Sequence, residues 1–234
     1  MRFSPILFVL IIGACTPVQD TTPLPDAEPL ASAPQLSVSQ ARANFRAAIR
    51  RVEPVAERIC REESIEENCN FRIVIDERPD LPANAYQTLD ANRRPILVFT
   101  VPMLRAVRNE DEIAFVLAHE AAHHIEGHYA RQERTAAAGA ALLGSLAASL
   151  GTTDPEALEA AAQVGGAVAA RSYSKAYELE ADALGTRIAA EAGYDPLKGA
   201  QFFYRIPDPG NVFLGTHPPN AERLQKVQEV AAGL

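Results

Sequence analysis

Between Asn109 and His128 the chain reads NEDEIAFVLAHEAAHHIEGH, and His119-Glu120-Ala121-Ala122-His123 within it constrains the fold more than any other stretch. On an α-helix, residues four apart lie about one turn apart on nearly the same face, so both imidazoles can reach one metal ion. Glu120, one step round from His119, then stands beside that ion without ligating it, where it can act as a general base toward water. The segment carries its own helix signals. Asn109 is a good N-cap, Glu112 three residues on can close a capping box, and Glu110 and Asp111 bring negative charge to the first turn. Ile113, Val116, Leu117 and Ala121 recur at spacings of three and four, which predicts one apolar face turned to the core. The alternative is an ordinary amphipathic helix that matches by chance. Against it, the chain has 5 histidines, and those at 119, 123, 124 and 128 are four of them.

A length of 234 residues with 47% hydrophobic content suits one folded domain plus a tail. The net charge of -8 offers no basic field, so no nucleic acid is expected as a partner. Residues 1–14 are expected to be a signal peptide: Arg2 is a minimal positive region, Ile6 to Ile12 is apolar but too short to span a bilayer, and small residues follow. Ile12-Gly13-Ala14-Cys15 resembles a bacterial lipobox, which would make Cys15 the lipidated first residue of the mature chain. A plain secretory signal with an incidental cysteine is the alternative. Thr16 is not the Asp that, by resemblance to the bacterial sorting rule, retains a lipoprotein in the inner membrane, so the periplasmic side of the outer membrane is the expected location. Residues 15–35 form a linker with five prolines after Cys15, able to hold the domain up to roughly 60 Å from its anchor. Cys60 and Cys69, an isolated pair in an exported chain, are expected to form a structural disulfide between a helix end and the first strand rather than to bind zinc.

Residues 36–234 are the expected domain. Ser37 or Ser39 caps a first helix reaching Ile59, with a kink expected at Pro54. Strands follow at Phe71–Asp76, Asn84–Leu89 and Pro95–Val101, with a turn at Asp90–Arg94. A short helical piece from Met103 to Arg108 feeds the Asn109 helix. Residues 135–170, rich in Ala and Gly, read as a hairpin of two helices, the second capped by Asp154 with Pro155 at its first position. Close packing of small side chains explains this composition; a surface for membrane or substrate is the alternative. Ser174 then opens a helix ending at Gly193, Leu197–Arg205 forms another short one, and Ala221–Ala232 the last. The fold class is therefore α+β, mostly helical with a small three-stranded sheet.

A hydrolytic zinc needs a third protein ligand and one open position. Glu178 can supply that ligand, and Asp182, one turn on, can accept the second ring N–H of a liganding histidine. Without a cation nearby, this pair reads as a solvated acidic face. Spacing does not exclude Glu180, two residues on and about 200° round the helix.

Taken in order, Asn84-Ala85-Tyr86, the H-E-x-x-H motif, Arg171-Ser172-Tyr173-Ser174 leading to Glu178-Leu179-Glu180-Ala181-Asp182, and Thr216-His217-Pro218-Pro219 with Glu222-Arg223-Leu224 resemble the HtpX-like and CAAX-protease-like zinc endopeptidases of peptidase family M48. The resemblance covers about residues 37 to 230 and is to the soluble periplasmic lipoprotein branch. It implies a zincin-type (gluzincin) domain with Zn2+ held by His119, His123 and Glu178, Asp182 behind a ligand, and Glu120 as the catalytic base. It places His217 at the active-site mouth as a catalytic candidate, able to stabilise the transition state or to occlude the metal. Tyr173, His217 and Arg223 are candidates to stabilise the oxyanion. The expected partners are unfolded or misassembled envelope proteins as substrates and the outer membrane through the lipid anchor. The rival is an outer-membrane lipoprotein that works mainly as a chaperone or assembly factor around a latent zinc site.

Overall fold

The computed structural model describes residues 35–64, 68–208 and 217–234, with the backbone alone at 171–173. The expected signal peptide, the lipidated Cys15, most of the Pro-rich linker and Thr216 lie outside the described residues.

The first helix, α1 (Val38–Glu63), starts where the Ser37 hydroxyl accepts the Gln40 N–H. Ala41, Phe45, Ala48, Val52, Ala56 and Ile59 form its buried stripe. The helix runs through Pro54, which lies on the exposed face, where the missing N–H falls toward solvent. Its last turn is joined to the approach of the first strand by the Cys60–Cys69 disulfide, Cα to Cα 5.6 Å.

Three strands follow, β1 (Arg72–Asp76), β2 (Ala85–Leu89) and β3 (Pro95–Thr100), in the spatial order β1-β3-β2. The central strand β3 pairs parallel to β1, with Val74 opposite Val98, and antiparallel to β2, with Gln87 opposite Leu97. Phe99 on β3 meets Phe45 of α1 at 4.9 Å between ring centroids, and this contact seats the sheet on the helix. Thr100 ends β3 by three hydrogen bonds: its hydroxyl accepts from the Met103 N–H, capping α2 (Val101–Ala106), accepts from the Asn84 N–H, and donates to the Pro82 carbonyl. That anchor fixes the entry of the edge strand β2.

The central helix is α3 (Glu110–Ile125), capped by Asn109, whose side chain accepts the Glu112 N–H. Glu112 reaches back to Asn109, accepting its Nδ2–H at 3.3 Å, but the backbone N–H it accepts is that of Arg108, at 2.8 Å, and its carboxylate also pairs with Arg205. The single apolar face expected for α3 is corrected too. From Glu112 to Ala122 every residue is buried, because α1, the sheet and two later helices, α5 (Pro155–Glu191) and α6 (Pro196–Gly199), surround the helix. The helix stops at Gly127, whose φ of 63° is the left-handed conformation that suits glycine, and α4 (His128–Ser149) restarts at once in a new direction. His128 therefore belongs to α4 and not to the helix of the H-E-x-x-H motif.

The hairpin is made by α4 and α5 (Pro155–Glu191), with Asp154 and Pro155 at the start of α5 as expected. Alanine and glycine along the facing sides bring the two backbones into contact, while Leu142, Leu146, Leu150 and Val164 remain exposed. The separate helix expected to open at Ser174 is absorbed: α5 is one helix of 37 residues that carries Glu178 and Asp182 in its inner half. Nothing between Ala170 and Ser174 breaks the helical hydrogen-bond pattern, and continuity lets the hairpin and the core share one rod. Two short turns, α6 (Pro196–Gly199) and a 3-10 segment (Ala200–Tyr204), stand where one short helix was expected; they precede α7 (Asn220–Ala231). No helix of the described residues is long and apolar enough to cross a membrane.

Candidate metal centre

Two helices bring the ligand set together. On α5, Glu178, Asp182 and Gly185 recur at four and three, so they face α3 as one row. At Gly185 a side-chain carbon would stand 3.0 Å from the His119 backbone nitrogen, tighter than ordinary contact, so glycine eases the close approach of α5 to α3 at the motif. The approach places the Glu178 carboxylate over both histidines.

The ligand side chains form a tight three-residue triangle, in which Glu178 turns a different carboxylate oxygen to each histidine. His119 Nε2 and His123 Nε2 lie 3.1 Å apart, His119 Nε2 is 3.5 Å from Glu178 Oε2, and His123 Nε2 is 3.4 Å from Glu178 Oε1. Donors of a tetrahedral zinc site with bonds of about 2.05 Å stand ~3.3 Å from one another, so contacts of 3.1 to 3.5 Å between these groups are compatible with one such ion. The electrostatics agree. Burial opposes charge on Glu178, but its contacts with His119 and His123 outweigh burial and hold its carboxyl well below the usual range. Burial also opposes charge on His119, yet hydrogen bonds with Asp182 and Glu178 carry its imidazole up to about 10. The cluster thus favours positive charge at its centre, which a divalent cation would supply.

Each histidine is held from behind. His119 Nδ1 lies 2.9 Å from Asp182 Oδ1, and Asp182 is gripped at 2.6 and 2.7 Å by the fork of Arg223 on α7. Burial pushes the Asp182 carboxyl up, while Arg223 and His119 bring it below its ordinary value. The Arg223 guanidinium itself lies over the Phe203 ring, 4.1 Å from the centroid. His123 Nδ1 meets a different partner, the His128 Nδ1 at 2.9 Å, and His128 Nε2 lies 3.1 Å from Glu180 Oε2. Glu180, the alternative ligand that spacing left open, points away from the triangle and is held by Arg131 at 2.5 Å.

The triangle opens into a cleft of about 670 Å³. Glu120 lines it and, among the described residues, takes part in no hydrogen bond or ion pair. One wall is residues 83–87, including the edge strand β2; the other is aromatic and apolar, with Phe115, Phe202, Phe203 and Ile206. His217 also lines the cleft, half exposed, its Nε2 3.8 Å from Glu178 Oε2. Of the three oxyanion candidates, Arg223 and His217 border the site, and the Tyr173 side chain lies outside the described atoms.

A family model described as peptidase family M48 matches residues 46–231. The chain belongs to peptidase family M48. It resembles the HtpX-like members expected from its motifs, and the family is one of metallopeptidases. A relative from Vibrio cholerae serotype O1, which carries the provisional name beta-barrel assembly-enhancing protease, is 33% identical over 137 residues. That match covers 53% of this chain and 28% of the relative, so the M48 region stands within a much longer protein there.

Sequence reasoning did not find the outer partners His128, Glu180 and Arg131. The signal was present in the crowding of histidines after the motif, but Gly127 redirects the chain between His123 and His128, and no helical spacing relates the two. His124 is accounted for otherwise: its Nε2 lies 2.9 Å from the Asn68 carbonyl oxygen, and its ring packs edge-on to Phe71.

Proposed function

We propose that the chain is a zinc-dependent endopeptidase that cleaves unfolded or misassembled envelope proteins, anchored by lipid at Cys15 on the periplasmic side of the outer membrane. The observation that carries the chemistry is the triangle of His119, His123 and Glu178 with Glu120 beside it in an open cleft. Zinc, when bound, supplies a Lewis acid that acidifies water and polarises a carbonyl. Glu120 takes a proton from the attacking water and passes it to the leaving amine. Arg223, buried, and His217, half exposed, both line the cleft beside the triangle, and either can offer a hydrogen bond to negative charge that would develop on the carbonyl oxygen.

The cleft supports a preference for extended chains. β2 is an edge strand, so its outer N–H and C=O groups can pair with a substrate backbone. Only an unfolded or partly unfolded segment offers such a backbone, and the aromatic wall suits an apolar side chain next to the scissile bond. The name of the Vibrio relative supports an envelope setting, and the lipobox-like start supports the anchor.

The position of His217 favours a second state. As a fourth protein ligand it would close the site to water, which is the latent form required by the chaperone-like reading. The experiment is to incubate the protein with zinc and an unfolded outer-membrane protein, with and without a chelator, beside Glu120→Gln. Proteolysis lost in Glu120→Gln while zinc is retained supports the enzyme; cellular function unchanged in that variant supports the chaperone.

A further inference from the structure

His128 ligates nothing in the proposed site, yet its ring is among the most firmly held near it. The residue is buried, stacked on Tyr177 with ring centroids 4.7 Å apart and 15° between planes, and edge-on to His123 at 5.0 Å. Nδ1 faces His123 Nδ1 at 2.9 Å, and Nε2 faces Glu180 Oε2 at 3.1 Å. Arg131 grips Glu180 at 2.5 and 3.3 Å and lies over the same Tyr177 ring, 4.5 Å from the centroid. Both ring nitrogens of His128 are therefore committed.

The order of contacts dictates where the protons sit. His123 turns Nε2 to the other two ligand atoms, so that nitrogen offers its lone pair and the ring proton is on Nδ1. The Nδ1–H can donate only to an acceptor, so His128 Nδ1 carries no proton. The His128 proton then sits on Nε2 and is donated to the Glu180 carboxylate. Glu126, His128 and Glu180 bring ligand atoms within 4.8 Å of one another, which admits a second metal site in this place. Arg131 already supplies the positive charge to Glu180, and the His128 nitrogens are taken, so the hydrogen-bonded chain is the better account.

We propose that His128 is a positioning residue that carries the Glu180 charge to His123, fixing the tautomer and ring orientation of this metal ligand as Asp182 does directly for His119. Ligand histidines ordinarily donate their second N–H to a carboxylate, a carbonyl or water. Here an imidazole is interposed, because the α3–α4 break at Gly127 puts His128 between His123 and the nearest carboxylate on α5. The inference rests on His119, His123 and Glu178 being the metal ligands.

The test is zinc affinity of the full chain, measured by competition with a chromophoric chelator, with circular dichroism of each metal-free protein. His128→Phe keeps a ring on Tyr177 but removes both nitrogens, and it is expected to weaken zinc binding about 10- to 100-fold. His128→Asn sets an amide oxygen near the position of Nδ1 and is expected to restore most of that loss, which a packing role alone would not do. Wild-type affinity in His128→Phe, or an Asn variant no better than Phe, overturns the proposal. A wild-type protein that binds no zinc overturns the ligand assignment instead. If His128→Phe does not fold, Glu180→Gln, at a part-exposed side chain, carries the test. Weaker zinc binding with an unchanged spectrum supports the proposal, and unchanged binding contradicts it.

Discussion

The two histidines of the motif stand one helical turn apart and are supported in different ways. Behind His119 lie Asp182 and Arg223, an ion pair with side-chain exposures of 0% and 8%. Behind His123 lie His128, then Glu180 and Arg131, the last two exposed to 39% and 35%. Each flank ends in an arginine lying over an aromatic ring, Phe203 on one side and Tyr177 on the other. The need is the same, to fix an imidazole and raise its basicity. The solvent differs. Inside the core a carboxylate must be neutralised by direct contact, whereas near the surface part of the Glu180 charge is left to water and reaches the ligand through a neutral ring. Burial pushes the His128 imidazole down, toward its neutral form. The inner flank should therefore carry stability as well as chemistry, and the outer flank chiefly chemistry.

The strongest way to break this contrast is Arg223→Met. It leaves Asp182 as a buried charge without its cation, and a loss of about 3–5 kcal/mol is expected. In a domain of this size that lowers Tm by roughly 10 °C, read by thermal unfolding. A loss near zero would mean that water reaches Asp182. The contrast is sharpened by pairing variants. Asp182→Asn combined with Arg223→Met should cost less than the sum of the two single changes, because removing both charges leaves neither unpaired. Glu180→Gln with Arg131→Met should show little coupling in denaturant unfolding.

A change common to both flanks ranks next. Gly185→Ala forces a side-chain carbon against the His119 backbone, and overpacking of this kind costs about 1–3 kcal/mol. The expected sign of its origin is a parallel fall in zinc affinity, since α5 carries Glu178, Asp182 and Glu180 together. The smallest effect is expected for Arg131→Met alone, under about 1 kcal/mol and further reduced by salt, because this pair is part-exposed. A Tm drop as large as that of Arg223→Met would erase the distinction between the flanks.

Parts of this arrangement were legible in the sequence for local reasons. The Asn109 cap, the His119/His123 spacing and the three strands follow from neighbours within a few residues. Glu178 was a choice between two carboxylates that spacing could not make, and only the family resemblance favoured it. The end of α3 was missed because a glycine inside a helical pattern is compatible with continuing the helix or ending it, and the left-handed Gly127 shows only in three dimensions. The merger of the second hairpin helix into α5 was missed for the opposite reason: Ser174 looks like a new cap but lies within one unbroken helix. The contact of His128 with Glu180 spans 52 positions, and no periodicity reports such a pairing.

The central claim is that three side chains on α3 and α5 hold one zinc ion and leave it open to water. Zinc-edge X-ray absorption of the loaded protein tests it most directly, with Glu178→Ala as the control. The account predicts one zinc per chain bound by two imidazoles, with oxygen in the remaining positions, and loss of the ion in the control. A protein that takes up no zinc, or a coordination shell unchanged by Glu178→Ala, would contradict it.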